Sequence, residues 1–403
     1  MLTSLSFIFL LGLAMAAVCQ RLKLPRIIGM LLTGILLGPY ALNLLDPSIL
    51  AVSADLRQMA LIIILLKAGL SLNLADLKRV GRPAVMMACV PASFEILGFL
   101  IFAPHIFGVT RVEAAVMCAV LSAVSPAVVI PRMVQLMEER YGTDKSIPQM
   151  IMAGASCDDI FVIVLFSTFV TMAQGGAVHG TDLLNVPVSI ILGVALGVGT
   201  GYALSLFFEK AYVCGRYVRN STKVIILLGV SFLLMAVETW LKEIVSISGL
   251  LAVVSTACVL KIRSIPDVSS RLSEKFGKLW IAAEVILFVL VGAAVDIRYT
   301  LEAGLPALAM IAAALVFRSL GTMFCLFGTA LNLKERLFCI IAYLPKATVQ
   351  AAIGSVPLAL GLPCGALVLS VAVLAIVITA PLGALGMDLT YKKFLKKNGS
   401  IPA

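Results

Sequence analysis

Asp158 and Asp159 are neighbours in the run Gly154-Ala155-Ser156-Cys157-Asp158-Asp159-Ile160-Phe161-Val162-Ile163-Val164-Leu165-Phe166, whose other residues suit the hydrocarbon core of a bilayer. A charged side chain at that depth costs about 2.5 to 3.5 kcal/mol even on the lenient insertion scale, so carboxylates there mark an ion path by default. Such a group can hold either a proton or a monovalent cation. Neighbours on a helix point about 100° apart, so the two cannot serve one ion identically. One is expected to face the site and exchange cation for proton, the other to rest against a neighbouring helix or a basic side chain.

Three more charges fall deep in apolar runs: Glu95, Arg318 and Lys346. Arginine stays charged and its planar fork suits a buried carboxylate, so Glu95 and Arg318 are expected to form a structural pair in the core. Lys346 is expected to neutralise helix carbonyl ends or to pair with an aspartate. Lys67, Glu238 and Glu284 lie nearer the ends of their runs, where an interfacial placement is the simpler reading. Lys67 and Glu284 together are candidates for a gate pair or for the lining of an inner funnel. No catalytic residue is assigned.

The elements that must position these groups follow from composition. Of 403 residues, 61% are hydrophobic and 13% charged, against roughly 25% charged in soluble domains. Apolar runs of about 17 to 25 residues predict thirteen spans, near 2–19, 27–45, 58–75, 83–104, 113–133, 149–172, 185–208, 223–241, 245–261, 279–296, 304–330, 336–360 and 365–387. The chain therefore reads as an all-α, polytopic membrane protein of thirteen transmembrane helices. Lys and Arg gather in cytoplasmic loops, and twenty-four of the thirty-one lie after odd-numbered spans or in the tail. This places the N-terminus outside and the C-terminus in the cytoplasm. Spread over short loops, the net charge of +10 fits contact with anionic lipids and argues against nucleic acid. The nine cysteines form no metal or disulfide pattern. His105 and His179 fall in predicted outside loops and read as surface residues.

Weak self-similarity recurs at offsets of 220, 223 and 219 residues: Gly29 with Gly249, Gly69 with Gly292, and Pro126 with Pro345. Seven spans separate each pair, so the second half must enter the membrane upside down, the inverted-topology repeat of many transporters. The repeated units are 27–172, spans 2–6, and 245–387, spans 9–13, within one domain covering 1–403. Each half holds a proline break at the matching place, Ser125-Pro126 in span 5 and Pro345-Lys346-Ala347-Thr348 in span 12. Proline removes a backbone hydrogen bond, and irregular backbone at membrane depth is tolerated only where it is buried or lines a cavity. The two broken helices are expected to cross near the midplane, with carbonyls available to a cation.

These residues resemble the monovalent cation:proton antiporter superfamily, in particular the NHA-type sodium/proton exchangers of its second branch. The likeness rests on Asn332-Leu333-Lys334-Glu335-Arg336, on Leu344-Pro345-Lys346-Ala347-Thr348-Val349-Gln350-Ala351-Ala352-Ile353-Gly354 and on the Asp158-Asp159 helix. Ser125-Pro126-Ala127-Val128-Val129 and Lys67-Ala68-Gly69-Leu70 add to it. It implies a homodimer in which a mobile core of spans 4–6 and 11–13 carries the ion past a dimerisation scaffold. Asp159 would be the principal carrier of cation and proton, assisted by Asp158, with Ser125 and the backbone of both breaks completing the site. Many relatives carry a Lys on the helix corresponding to span 11, paired with the first aspartate and linked to electrogenic exchange. This chain has Arg318 there. If Glu95 holds it, Asp158 stands without that basic partner, and one cation is expected to exchange for one proton.

The function expected is sodium or lithium/proton antiport by elevator-type alternating access, without a cofactor, in a bacterial inner membrane. No appended regulatory domain is expected, since the chain ends soon after span 13. The competing readings are potassium/proton antiport and sodium-coupled symport of an organic anion. An intramembrane aspartyl protease is the weakest, since it needs two carboxylates sharing a proton and helical neighbours diverge.

Overall fold

The structure, a computed structural model, describes residues 1–22, 24–71, 81–174, 182–213, 218–241, 247–296 and 304–398. Lys23, Lys78, Arg79, His179, Cys214, Arg216, Lys242 and Arg298, all weighed in the sequence, lie outside them. Among the described residues the secondary structure is helical, apart from an isolated bridge between Tyr141 and Lys397. Helix lies on every one of the expected apolar runs. Among the described residues, nine stretches are long and apolar enough to cross a membrane by length and composition alone.

Several boundaries differ from the expectation. The helix expected to begin at 279 runs over Pro266–Ala293, because its early turns are helical but polar, with Lys278 paired to Glu274 four residues earlier at 2.7 Å. Such i,i+4 pairs support a helix that a hydropathy window misses. Span 4 is interrupted, as Arg82–Met87 and Val90–Phe107 meet at Ala88-Cys89, just before Pro91. Arg57 and Lys223, expected in loops, are buried within helices.

The chain forms two compact units. One comprises Met1–Ala54, Asn73–Val162 and Phe288–Ala403; the other comprises Asp55–Leu72 and Ile163–Leu287. In the first, Val90–Phe107 packs on Gly304–Cys325. Gly98 lies close against Phe317, Gly321 lies against Phe94 and Pro91 with no room for a Cβ, and Phe102 meets the Phe317 ring edge-on at 6.0 Å. This seam brings Glu95 and Arg318 to one level. In the second, Gly193, Gly197 and Gly201 of Asp182–Val213 lie on the backbone at Ser248, Ala252 and Thr256. Thr256 also donates its hydroxyl to the Gly197 carbonyl at 3.1 Å. Helix association in lipid depends on such close backbone approach, since apolar burial gains nothing against lipid tails.

Both expected breaks are present, and both lie in the first unit. One helix spans Arg111–Leu121 and the next begins at Pro126, where proline's fixed φ and missing N–H suit a first helical position. In the second half, Leu333–Ala342 ends before Tyr343 and Thr348–Gly354 begins after Ala347. The two breaks touch: the Ser125 amide donates to the Pro345 carbonyl at 2.8 Å. Pro345 is seated against Gly383 of Gly365–Phe394, a glycine that again leaves no space for a Cβ. The Asn332 to Arg336 stretch opens the second broken helix with a capping box between Asn332 and Glu335. Lys145 pairs with that Glu335 at 2.7 Å.

Candidate functional site

Glu95, Asp158, Arg318 and Lys346 form one continuous chain of buried charge in the first unit. Arg318 Nη1 donates to Glu95 Oε2 at 2.9 Å and Nη2 to Asp158 Oδ2 at 3.2 Å. Lys346 Nζ lies 2.7 Å from the other Glu95 oxygen. Glu95, Asp158 and Arg318 are fully buried, and Lys346 nearly so.

The expectation that Asp158 lacks a basic partner is therefore wrong. A guanidinium offers five N–H donors in a planar fork, so a bond to Glu95 does not exhaust it. Arg318 also donates through Nε to the Tyr343 carbonyl at 2.5 Å and through Nη1 to the Ser122 carbonyl. Lys346 does meet a helix carbonyl end, at Leu121, but pairs with Glu95 rather than an aspartate. The carbonyl ends of both first half-helices thus meet protein cations, as the helix dipole favours.

Gln350 completes the lacing. Its amide nitrogen donates to the Ala123 carbonyl at 2.8 Å, and its oxygen accepts from the Ala347 amide at 2.8 Å. The Val124 amide donates to Asp158 Oδ2 at 2.6 Å, and the Lys346 amide to the Thr379 hydroxyl at 2.9 Å. Thr348 opens its half-helix and is buried. The carbonyls of Leu121, Ser122, Ala123, Tyr343 and Pro345 all accept from protein donors. The crossing therefore offers a cation less open backbone than the proline breaks alone suggest.

Other oxygens have no partner. Asp158 Oδ1, Asp159 Oδ1, Ser125 Oγ and the Tyr343 hydroxyl are buried and accept or donate no hydrogen bond among the described residues. Asp159 is 7% exposed. The Asp158 bond to Val124, the residue before Ser125, sets Asp158 against the first break. Buried polar groups are nearly always satisfied, and oxygens left open in this way are available to an ion or a water. Oxygens are also the ligands that hard monovalent cations take in selectivity sites.

Lys67 and Glu284 belong to the second unit. Lys67 lies 6.0 Å from the Trp280 ring centroid and is attracted electrostatically to Glu284. Sequence reasoning missed Tyr343 as a site residue, along with Ser122 and Thr379, and quoted Gln350 only within a motif. Gln350 stands four residues after Lys346, a one-turn spacing that points to a shared face.

Two crossing broken helices around buried carboxylates define the class: a membrane transporter that exchanges a monovalent cation for a proton. The chain matches the family described as "Sodium/hydrogen exchanger, transmembrane" over residues 5–390, and it belongs to that family. It is similar to sodium/hydrogen exchanger 9B2 of Mus musculus, 34% identical over 388 residues, covering 93% of this chain and 69% of that protein. It is similar also to sodium/hydrogen exchanger 9B1 of Homo sapiens, at 32% over 367 residues, 86% of this chain and 67% of the relative. In fold it resembles the sodium proton antiporter MjNhaP1 of Methanocaldococcus jannaschii, with a TM-score of 0.81 over 98% of each chain at 20% identity.

Proposed function

We propose that the chain exchanges sodium, or lithium, for protons one for one, with Asp159 as the carrier and Asp158 and Ser125 as supporting oxygen ligands. The observation that carries this reading is the balance of charge in the buried cluster. Three carboxylates, Glu95, Asp158 and Asp159, face two cations, Arg318 and Lys346. One monovalent cation, or one proton, neutralises the cluster; both together leave an excess positive charge in a medium that penalises it. The same arithmetic makes the two ions compete for Asp159, which is the condition for exchange, and makes each cycle electroneutral.

Secondary active transport in this reading proceeds by an elevator-type movement of spans 4–6 and 11–13, whose cluster residues all lie in one compact unit. Rigid-body alternating access of this kind suits a repeat-built core with a fixed site. The working form is a homodimer in a lipid bilayer, anionic lipids included. The Lys and Arg asymmetry supports an N-terminus outside and a C-terminus in the cytoplasm of a bacterial inner membrane. Lys67 and Glu284 line or gate the inner funnel.

The test is cation-induced proton movement in proteoliposomes with sodium, lithium and potassium across pH 6 to 9, with and without a clamped membrane potential. Exchange with sodium or lithium that ignores the clamp is the expected result. A rate that follows the clamp overturns the one-for-one stoichiometry, and exchange with potassium alone overturns the ion assignment. No proton movement with any of these cations would redirect the reading to symport of an organic anion.

A further inference from the structure

The second unit contains a cavity of about 370 Å3, remote in chemistry from the carboxylate cluster. Its charged and polar lining comes from Glu209 near the end of Asp182–Val213, from Asn220 and Lys223 at the start of Asn220–Leu241, and from Asp267 and Arg271 in the first turns of Pro266–Ala293.

Lys223 is only 8% exposed, yet its ammonium makes no hydrogen bond or ion pair among the described residues and rests over the Phe208 ring at 5.2 Å. It also has the wrong sign for its place. The first turn of a helix already concentrates positive charge through free N–H groups and the aligned peptide dipoles, and Lys275 adds another cation by donating to Ser221 at 3.0 Å. An ammonium that faces the cavity at a positive helix end suits an anion, and phosphate is the anion that helix N-termini and Lys/Arg pairs take most readily.

A purely anionic guest does not fit the rest of the lining. Glu209 and Asp267 enter the same cavity, and neither pairs with Lys223 or Arg271 within 4.0 Å, although the opposite charges share one space. Asn220 Oδ1 is buried and accepts no hydrogen bond among the described residues; as a carbonyl oxygen it can satisfy only a donor. The cavity therefore presents separated donors and acceptors, matching a guest that carries a phosphate and an amine a short distance apart. Phe208, Val268 and the exposed Ile265 supply apolar wall. The lining comes from the ends of helices long and apolar enough to cross a membrane, where headgroups would be met.

We propose that this cavity binds the headgroup of an amine-bearing, zwitterionic phospholipid. Lys223, Arg271 and the amide end of Asn220–Leu241 take the phosphate, while Glu209, Asp267 and Asn220 Oδ1 take the ammonium. The exchange reading above is not needed for it.

The experiment uses the full chain, delipidated in detergent, followed by thermal melting and native mass spectrometry with three probes: short-chain phosphatidylethanolamine, short-chain phosphatidylglycerol and inorganic phosphate. Phosphatidylethanolamine is expected to raise the melting temperature and remain bound, the other two to do neither. Lys223→Gln, which removes the charge but keeps most of the side chain, is expected to weaken phosphatidylethanolamine binding about tenfold, the loss of one charge-assisted hydrogen bond. If that variant fails to fold, Arg271→Gln at an exposed position is expected to weaken binding in the same direction. Glu209→Gln with Asp267→Asn is expected to close the gap between the two lipids. Equal binding of both lipids by the unaltered chain overturns the proposal. So does a full shift with inorganic phosphate, undiminished binding in whichever of the two charge variants folds, or no shift with any probe.

Discussion

At the first break the Val124 amide donates to the Asp158 carboxylate; at the second the Lys346 amide donates to the Thr379 hydroxyl. The paired positions are related by the same spacing near 220 residues that relates the two halves. Each break is thus capped from the long helix that follows it, in one case by a charge and in the other by a neutral group. The repeat supplies the crossing, and departures from the repeat supply the electrostatics. With Asp158 matched to the neutral Thr379, Asp159 falls opposite Ala380, so the second helix carries no carboxylate at either place. Glu95 and Arg318 occupy mate helices with opposite charge, and Lys346 answers an uncharged stretch around Val124 to Ala127. A symmetric distribution would give like charges at a dry crossing, which repel and cannot be hydrated.

The proposed reading puts the exchangeable ion on the first-half oxygens and the fixed counter-charge in the second half. Asp159→Asn tests it with the largest effect: proton movement in proteoliposomes is expected to vanish while the protein elutes and melts as before, since Asn keeps the shape and removes the charge. Normal exchange in that variant would remove Asp159 from the site.

Arg318→Ala strikes the fixed charge. It leaves Glu95 and Asp158 without their shared partner, and deleting one member of a buried pair costs about 3 to 5 kcal/mol. A large drop in detergent melting temperature is expected; an unchanged melt would show the cluster to be hydrated.

Thr379→Val probes the neutral cap. It leaves the buried Lys346 amide unsatisfied, at a cost of about 1 to 3 kcal/mol, so melting is expected to fall by less than in Arg318→Ala. A loss as large as that of Arg318→Ala would show that the second cap matters as much as the charged chain.

Tyr343→Phe is expected to do least. Its hydroxyl has no partner and faces Gly154, so stability should stay within about 0.5 kcal/mol, with the apparent sodium affinity unchanged in the same exchange assay. A weakened sodium affinity would mean that the second break also contributes an oxygen to the ion.

The aspartate pair, the proline breaks and the Glu95–Arg318 contact were legible because a charge or a proline inside an apolar run is conspicuous and costly. The double service of Arg318 was not. Glu95 lies 223 positions from Arg318 and Asp158 160 positions from it, and nothing in the local pattern ranks one carboxylate over the other. Tyr343 and Thr379 look like ordinary members of their helices, and their importance comes only from what the fold sets beside them. The glycines at 193, 197 and 201 were readable in principle as a period of four, the spacing of one helix face.

What the chain's residues determined by themselves was the solvent they are made for, the inverted halves, and the few polar groups that membrane burial requires to be functional or paired. Apolar run length and the cost of intramembrane charge are local properties, so they survive without coordinates. Only the tertiary structure decided which partner each charge takes and which oxygens remain open. Hydrogen bonds act over about 3 Å, and the chain brings the atoms of Asp158, Val124, Arg318 and Lys346 within that range only by folding across the whole of both repeats.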